Sequence, residues 1–411
     1  MSFEVTTATS LPAFRCPQVT VRRRFKDVVA LSRLLDGLLP GAILPARPER
    51  NFVEGRLRMA PPFVEQRRAA MERYLNRLAA HPEVARSEAL RVWLEADGTL
   101  RSAPAWLALN PKAPTPAQAT VRLVRTLTGM QRAAPTPAEA ARPPGASRDV
   151  YRLLHERYAA MRGVMAGAEG RPEEARLRDQ GALVEDLSEA LRAAAGRADA
   201  WAAASGDLAA IWGDLAAALE GLSTFEATYG SVGAQPTVAL ATAARACGAT
   251  KALGGDAAAA LSAALQPLRD HAAAMPNAAR ALAARERQLL TSLTLQRDLD
   301  AARARLQQVQ LSPGTKGKKL EELRQQVASL EASQASAAAE YERLAGRNAD
   351  ELAALKAARG GELAGAVAHL ARVALSHEEQ AAAGWQATTT ALPTMQGGPV
   401  TAYMAQRYFK P

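Results

Sequence analysis

The run Val21-Arg22-Arg23-Arg24-Phe25-Lys26-Asp27 sets three arginines against an aromatic ring where a strand pattern ends. On a strand, Arg22 and Arg24 share one face and Arg23 takes the other. Paired guanidinium groups beside a flat ring suit a phosphorylated sugar ring. The guanidinium grips phosphate through two parallel hydrogen bonds while the aromatic covers a ring face. A solvated basic strand edge is the plainer alternative. A second cluster falls within 63–74, where Arg67 lies four residues from both Phe63 and Met71 and seven from Tyr74. That spacing puts Arg67 at the margin of an apolar helix face. A charge there is costly without a partner, so an acidic side chain or a ligand should meet it. Lys316, Lys318 and Lys319 form a third cluster, in a turn. With Arg280, Arg285, Arg287, Arg297, Arg303 and Arg305 ahead of them they make either a positive surface or an ordinary solvated one.

Other chemistry finds no foothold. His81, His155, His271, His369 and His377 are scattered, and none stands at metal-ligand spacing with a cysteine or a second histidine. No glycine-rich phosphate loop follows a strand, and no nucleophile motif is present. No catalytic residue, metal or cofactor is therefore expected. A protein that is not an enzyme is the reading.

The elements that must position these residues differ along the chain. Alternation in Phe3-Glu4-Val5-Thr6 and Val19-Thr20-Val21 predicts strands. A proline-punctuated loop runs from Pro40 to Pro62 and leads into a helix carrying Phe63, Met71, Leu75 and Leu78, closed by Pro82. Residues 87–95 form another helix on a serine cap. These belong to a small α+β domain over 1–98. A Pro/Ala-rich linker follows over 99–146, in which 121–130 has the pattern of a short basic amphipathic helix.

Beyond Ser147 the chain reads as helix. Leu177, Val184, Leu187 and Leu191, then Leu208, Ile211, Leu215 and Leu222, follow spacings of three, four and seven, the seam of a coiled coil. A second helical stretch covers 236–310 with a kink expected at Pro276. A third starts near Lys318, after the Pro313-Gly314 break. The helical region spans 147–391, and 392–411 is a tail.

The whole chain has 411 residues, 48% of them apolar and only 5% aromatic, so long alanine-rich helices packed side by side are favoured over one large core. Its formal charge of +10 calls for an acidic partner, either nucleic acid or an anionic membrane face. Basic residues without interleaved stacking aromatics argue against nucleic acid. Cys16 and Cys247 are too few and too distant for a disulfide framework, which favours a reducing compartment. The first ten residues carry no signal-peptide pattern. The longest uncharged run, 380–406, is broken by glycine and proline, so no membrane-crossing helix is expected.

The motifs VTVRRRFKDVV, LPARPERN and FVEQRRAAMERYLNRL, in this order and at this spacing, resemble a phox-homology (PX) domain of the sorting nexins that also carry a BAR domain. The resemblance covers nearly all of 3–96. It implies phosphatidylinositol 3-phosphate as ligand, with Arg24 at the 3-phosphate, Phe25 stacked on the inositol ring, Arg50 at the 1-phosphate and Arg67 on the inositol hydroxyls. Three departures are visible: Val28 stands where the family usually has Tyr or Phe, Arg50 stands where it often has Lys, and by this resemblance the chain starts at the family's second strand. The helical half is similar to the BAR domain of the same nexins, three long antiparallel coiled-coil helices, with 147–158 at the place of a membrane-inserting amphipathic helix. In such a domain Lys316, Lys318 and Lys319 lie at the far tip and are membrane-contact candidates.

The resemblance thus implies a cytoplasmic protein held peripherally on endosomal membranes. It would act as a homodimer or a heterodimer with another sorting nexin, sense or induce curvature, and serve endosomal sorting with retromer. A coiled-coil tether or scaffold that never shapes membrane is the alternative.

Overall fold

The computed structural model describes residues 1–48, 61–109, 136–144, 150–162, 172–229, 235–311 and 317–391. They fall into two packed units, one of Met1–Ser188 with Ala273–Lys356, the other of Glu189–Ala272 with the chain from Ala357 on.

In the first unit, β1 (Phe3–Ala8) and β2 (Gln18–Arg23) pair antiparallel with Val5 opposite Val21 and Phe3 opposite Arg23. The register lets the Thr6 and Thr20 hydroxyls meet at 3.1 Å on the outer face. The inner face rests on α1 (Phe25–Leu38), α2 (Pro61–Ala80), the one-turn α3 (Pro82–Ala85) and α4 (Glu88–Glu95). Their shared core contains Val28, Leu31, Leu35, Met71, Tyr74, Leu78 and Trp93. Ser87 caps α4 as expected, its hydroxyl accepting the Leu90 N–H at 3.2 Å. The same core takes in Leu100 and, from α5 (Pro104–Leu109), Trp106. The large apolar side chains within the Pro/Ala-rich stretch are what draw its first residues into the core.

A loop at 38–44 then docks on the long helices. The helices that follow are the short α6 (Pro137–Ala140) and α7 (Val150–Met161) and the long α8 (Pro172–Tyr229), α9 (Gln235–Ala264), α10 (Gln266–Leu311) and α11 (Gly317–Ala391), and the loop meets α8, α10 and α11. Asn348 of α11 donates to the Gly41 carbonyl at 2.7 Å, and Asn277 of α10 to that of Leu44 at 2.7 Å. Arg347 forks onto Glu83 at 2.7 and 3.0 Å and reaches the Pro40 carbonyl at 2.7 Å. His81 stands 2.9 Å from Glu351, and Ile43 packs on Val184, Ala278 and Leu282. Gly41 has φ +82, and a Cβ there would come within 2.8 Å of the Leu344 side chain. Both facts select glycine.

Inside the first unit the long helices carry a buried polar network. Arg285 is fully buried and donates to Glu174 at 2.7 Å, and the Tyr341 hydroxyl donates to the same carboxylate. The expectation of a surface Arg285 is thereby corrected. Arg285 shares a helix face with Leu282 and Leu289, three and four residues away and both buried. On α7, buried Glu156 accepts from the Thr291 hydroxyl at 2.9 Å.

In the second unit the helix expected over 236–310 is split at Leu265. Pro267, which lacks an N–H, forces the break, and Arg269 donates to the nearby Ser262 carbonyl at 2.6 Å. Pro276, where a kink was expected, lies inside α10 without ending it. Trp212 and Trp385 pack with ring centroids 5.5 Å apart. The short helix expected at 121–130 lies outside the described residues.

Two measurements test this packing. Arg23, described below, is buried among carbonyls, so Arg23→Met should leave them unsatisfied and cost about 3 kcal/mol. Urea unfolding followed by tryptophan fluorescence should show the lower midpoint. Burial pushes the Glu156 carboxyl up to about 7. The folded state then holds this proton more tightly than the unfolded chain, whose carboxyl titrates near 4.5. Its contribution to stability is accordingly greatest below about pH 4.5 and declines as pH rises toward 7. Glu156→Gln should flatten the loss of thermal midpoint between pH 5 and 7.5, and equal slopes for the two proteins would refute the assignment.

Candidate phosphoinositide site and membrane-facing residues

Strand alternation sends Arg23 inward and leaves Arg22 and Arg24 exposed. Arg23 is fully buried. Its Nε donates to the Trp93 carbonyl at 2.8 Å, Nη2 to that of Ala96 at 2.5 Å and Nη1 to those of Arg22 at 3.1 Å and Gly98 at 3.4 Å. The guanidinium also sits 5.4 Å over the Trp93 ring. A cation at the carboxyl end of α4 meets carbonyls that the helix leaves without donors, at the negative end of its dipole. Burial draws the Arg23 pKa down, and the charges of Asp27 and Asp97 oppose that shift.

Trp93 holds the other side of the same junction. Its indole N–H donates to the Asp27 carbonyl at 3.0 Å, in the first turn of α1. Arg24 is the N-cap of α1, with extended backbone (φ −96, ψ 157), and its N–H donates to the Asp27 carboxylate at 2.8 Å. The backbone of Arg24 is thus fixed from both sides. Its side chain is exposed and meets no acceptor among the described residues.

Phe25 begins α1 with its ring partly buried against the core. Arg67 comes to it from α2, its guanidinium 4.2 Å over the Phe25 ring and 4.9 Å over that of Phe63. The charge at the edge of the apolar face is met by two aromatic faces, each worth about 0.5–1 kcal/mol where partly exposed. The geometry therefore brings Arg24, Phe25 and Arg67 together at the β2–α1 junction. Arg50 lies outside the described residues.

Of the lysine cluster, Lys318 and Lys319 are exposed in the first turn of α11, and Lys316 lies outside the described residues. On α7 the outward residues Leu154, Tyr158 and Met161 recur at four and three, while Glu156 and Ala159 point inward. Arg162 sits 5.1 Å over the Tyr158 ring. No described helix is long and apolar enough to cross a membrane. Among the described residues no three His, Cys, Asp or Glu side chains group as metal ligands would.

The structural role of Arg23 was not anticipated from the sequence, although alternation already set it opposite Arg22 and Arg24. The missing signal was its distant partner, the end of α4.

Comparison with known proteins agrees with this architecture. Residues 12–97 match the PX domain family, and residues 173–391, more than half of the chain, match the family described as "Vps5 C terminal like". Sorting nexin 2B of Arabidopsis thaliana is 29% identical over 367 residues, 86% of this chain and 63% of the relative. Sorting nexin 2A of the same plant is 32% identical over 230 residues, 55% of this chain and 38% of the relative. Human sorting nexin-1 is 37% identical over 105 residues, 23% of this chain and 20% of the relative. The chain thus spans less than two thirds of the length of these curated relatives. The cryo-EM structure of the SNX-BAR Mvp1 tetramer superposes with a TM-score of 0.66 at 10% identity, covering 94% of each chain, and so shares the fold. With an α+β PX region followed by an all-α BAR-type region, the chain belongs to the sorting nexins that join a PX domain to a Vps5-type BAR domain.

Proposed function

We propose that the protein binds phosphatidylinositol 3-phosphate through Arg24, Phe25, Arg50 and Arg67, dimerises through its helical region and follows or shapes curved endosomal membrane. The observation that carries the reading is the exposed Arg24 guanidinium, held at a rigid helix cap beside the Arg67–Phe25 stack. Two arginines around one ring suit a phosphorylated sugar, since each fork can take phosphate oxygens in pairs.

The BAR-type region supports the second half of the reading. Trp201, Leu208, Ile211, Leu215, Leu222 and Phe225 repeat at seven, three, four, seven and three along α8, and all are exposed, Ile211 at 61%. A heptad seam left open on one chain is the face that a second copy, or a related nexin, would cover. Lys318 and Lys319 stand at the positive end of the α11 dipole, where cations are disfavoured unless anions face them. With Lys316 they form the membrane-contact candidates, each worth about 1 kcal/mol near an anionic leaflet. The apolar outer face of α7 suits an interfacial helix. Endosomal sorting with retromer as partner completes the proposal.

Replacing the cap residue tests the headgroup site. Arg24→Ala should weaken flotation with vesicles containing phosphatidylinositol 3-phosphate by roughly 1.5 to 3 kcal/mol, about 10- to 100-fold, with circular dichroism unchanged. Undiminished flotation of the folded variant would reject the assignment.

The seam makes a separate prediction. Wild type at micromolar concentration should sediment as a dimer, and Ile211→Glu as a monomer of equal helicity. A monomeric wild type, or a dimeric variant, would count against the BAR-type assembly.

A further inference from the structure

A cleft of about 1000 Å³ lies in the first unit, between the end of α1 with the docked loop that follows it and the middle of α10 and α11. Its floor is small and apolar. Ala42, Ala141, Ala281 and Leu344 are buried beneath it. Gln288 at the base is already satisfied, donating to the Ala141 carbonyl at 2.9 Å and the Ala337 carbonyl at 3.1 Å. Nothing polar in the floor therefore asks for a ligand, and an apolar side chain can enter.

The rim has the opposite character. Arg280 and Arg287 stand seven residues apart on α10 with Ala284 between them, Arg343 rises from α11 beside Ala339, and Arg142 follows α6. Among the described lining residues the carboxylates are Asp36 and Glu340. Asp36 is engaged by Arg280 at 3.3 Å, and Glu340 by both forks of Arg343 at 2.5 and 2.7 Å. The charge of Arg142 also acts on Glu340, which lies below the usual carboxylate range chiefly through its bond to Arg343. Four arginines against two carboxylates leave a surplus of two positive charges (4 − 2) on the rim. The Arg287 side chain meets no acceptor among the described residues.

We propose that this cleft docks an acidic peptide segment of a partner protein, seated by an aliphatic side chain on the alanine-lined floor and by carboxylates on the arginine rim. Arg280 and Arg287 leave α10 about 10 Å apart along its axis, at 1.5 Å per residue, so the rim offers its charges along a line rather than at one point. Carboxylates carried at intervals on a peptide span that distance. A cleft of this size takes several side chains, whereas a flat bilayer cannot enter it. The arginines add what an apolar slot lacks, orientation and selection against basic partners. Ala284 and Ala339 leave the opening unobstructed where larger side chains would close it.

The test uses the full chain and a phage-displayed random dodecapeptide library, with counter-selection on an Arg142→Glu/Arg287→Glu variant. Enriched sequences should be net acidic with at least one aliphatic or aromatic residue. A fluorescent synthetic copy of the leading sequence should lose about tenfold or more in affinity on the charge-reversed variant. It should lose as much on Ala339→Trp, which fills the cleft from an exposed position without changing charge. Both variants should keep wild-type helicity and wild-type affinity for the soluble headgroup of phosphatidylinositol 3-phosphate. Enrichment of neutral or basic sequences, or equal binding to wild type and both variants, would overturn the proposal. So would Arg287-dependent binding of inositol hexakisphosphate with no acidic peptide enriched, which would make the cleft a polyphosphate site instead.

Discussion

The buried guanidinium of Arg23 organises the amino-terminal domain. A cation taken fully out of water needs acceptors on every side, and a helix end supplies carbonyls that its own backbone leaves without donors. Those of Trp93 and Ala96 serve here, at 2.8 and 2.5 Å. Strand β2 must consequently end where α4 ends. Trp93, lying under the guanidinium, also holds the first turn of α1 through the Asp27 carbonyl. The exposed Arg24 and the half-buried Phe25 are consequences of that convergence, because alternation reverses direction at each residue and the helix starts immediately after. A candidate ligand site is in this way preorganised by a residue that never faces the ligand.

A second constraint joins this domain to the long helices. The loop at 38–44 offers its carbonyls, and α10 and α11 answer with amide and guanidinium donors from Asn277, Arg347 and Asn348. Main-chain acceptors met by side-chain donors specify one approach geometry more sharply than apolar contact does. Gly41 permits the approach, since any Cβ there would meet Leu344. The candidate headgroup site and the lysines opening α11 thereby belong to one packed unit, so an orientation set at one is felt at the other. The arginine-rimmed cleft exists only because the loop docks there: one wall comes from each side of the junction.

The helical region solves a different problem. Alanine-rich surfaces bury little area per residue, so the long helices gain less from apolar packing than leucine-rich ones would. Part of the specificity comes instead from buried polar contacts, Arg285 with Glu174 and Tyr341, Gln288 with two carbonyls, and Glu156 with Thr291. Such contacts stabilise one register of neighbouring helices because a one-turn slip would leave buried charges unpaired. Large apolar side chains such as Leu282, Leu289 and Tyr341 are buried between the helices at intervals, and others line the open seam on α8.

What was legible from the sequence was local or motif-borne. Alternation placed both strands, Ser87 announced α4, and the Arg-Arg-Arg-Phe run with the later Arg67 pointed to the candidate site, because these signals depend on neighbours within a turn or a pleat. Heptad spacing likewise exposed the seam along α8. Tertiary structure decided the rest. It made Arg23 a structural cation and Arg24 the exposed one, and it buried Arg285, which looked like surface charge, against Glu174. It drew Leu100 and Trp106 into a core from a stretch with the composition of a linker, and broke the second long helix near Pro267 while leaving Pro276 inside α10. In each case the deciding partner lies far away along the chain. Whether a charge is solvated or buried, or a proline tolerated, depends on what packs against it, which local spacing does not encode.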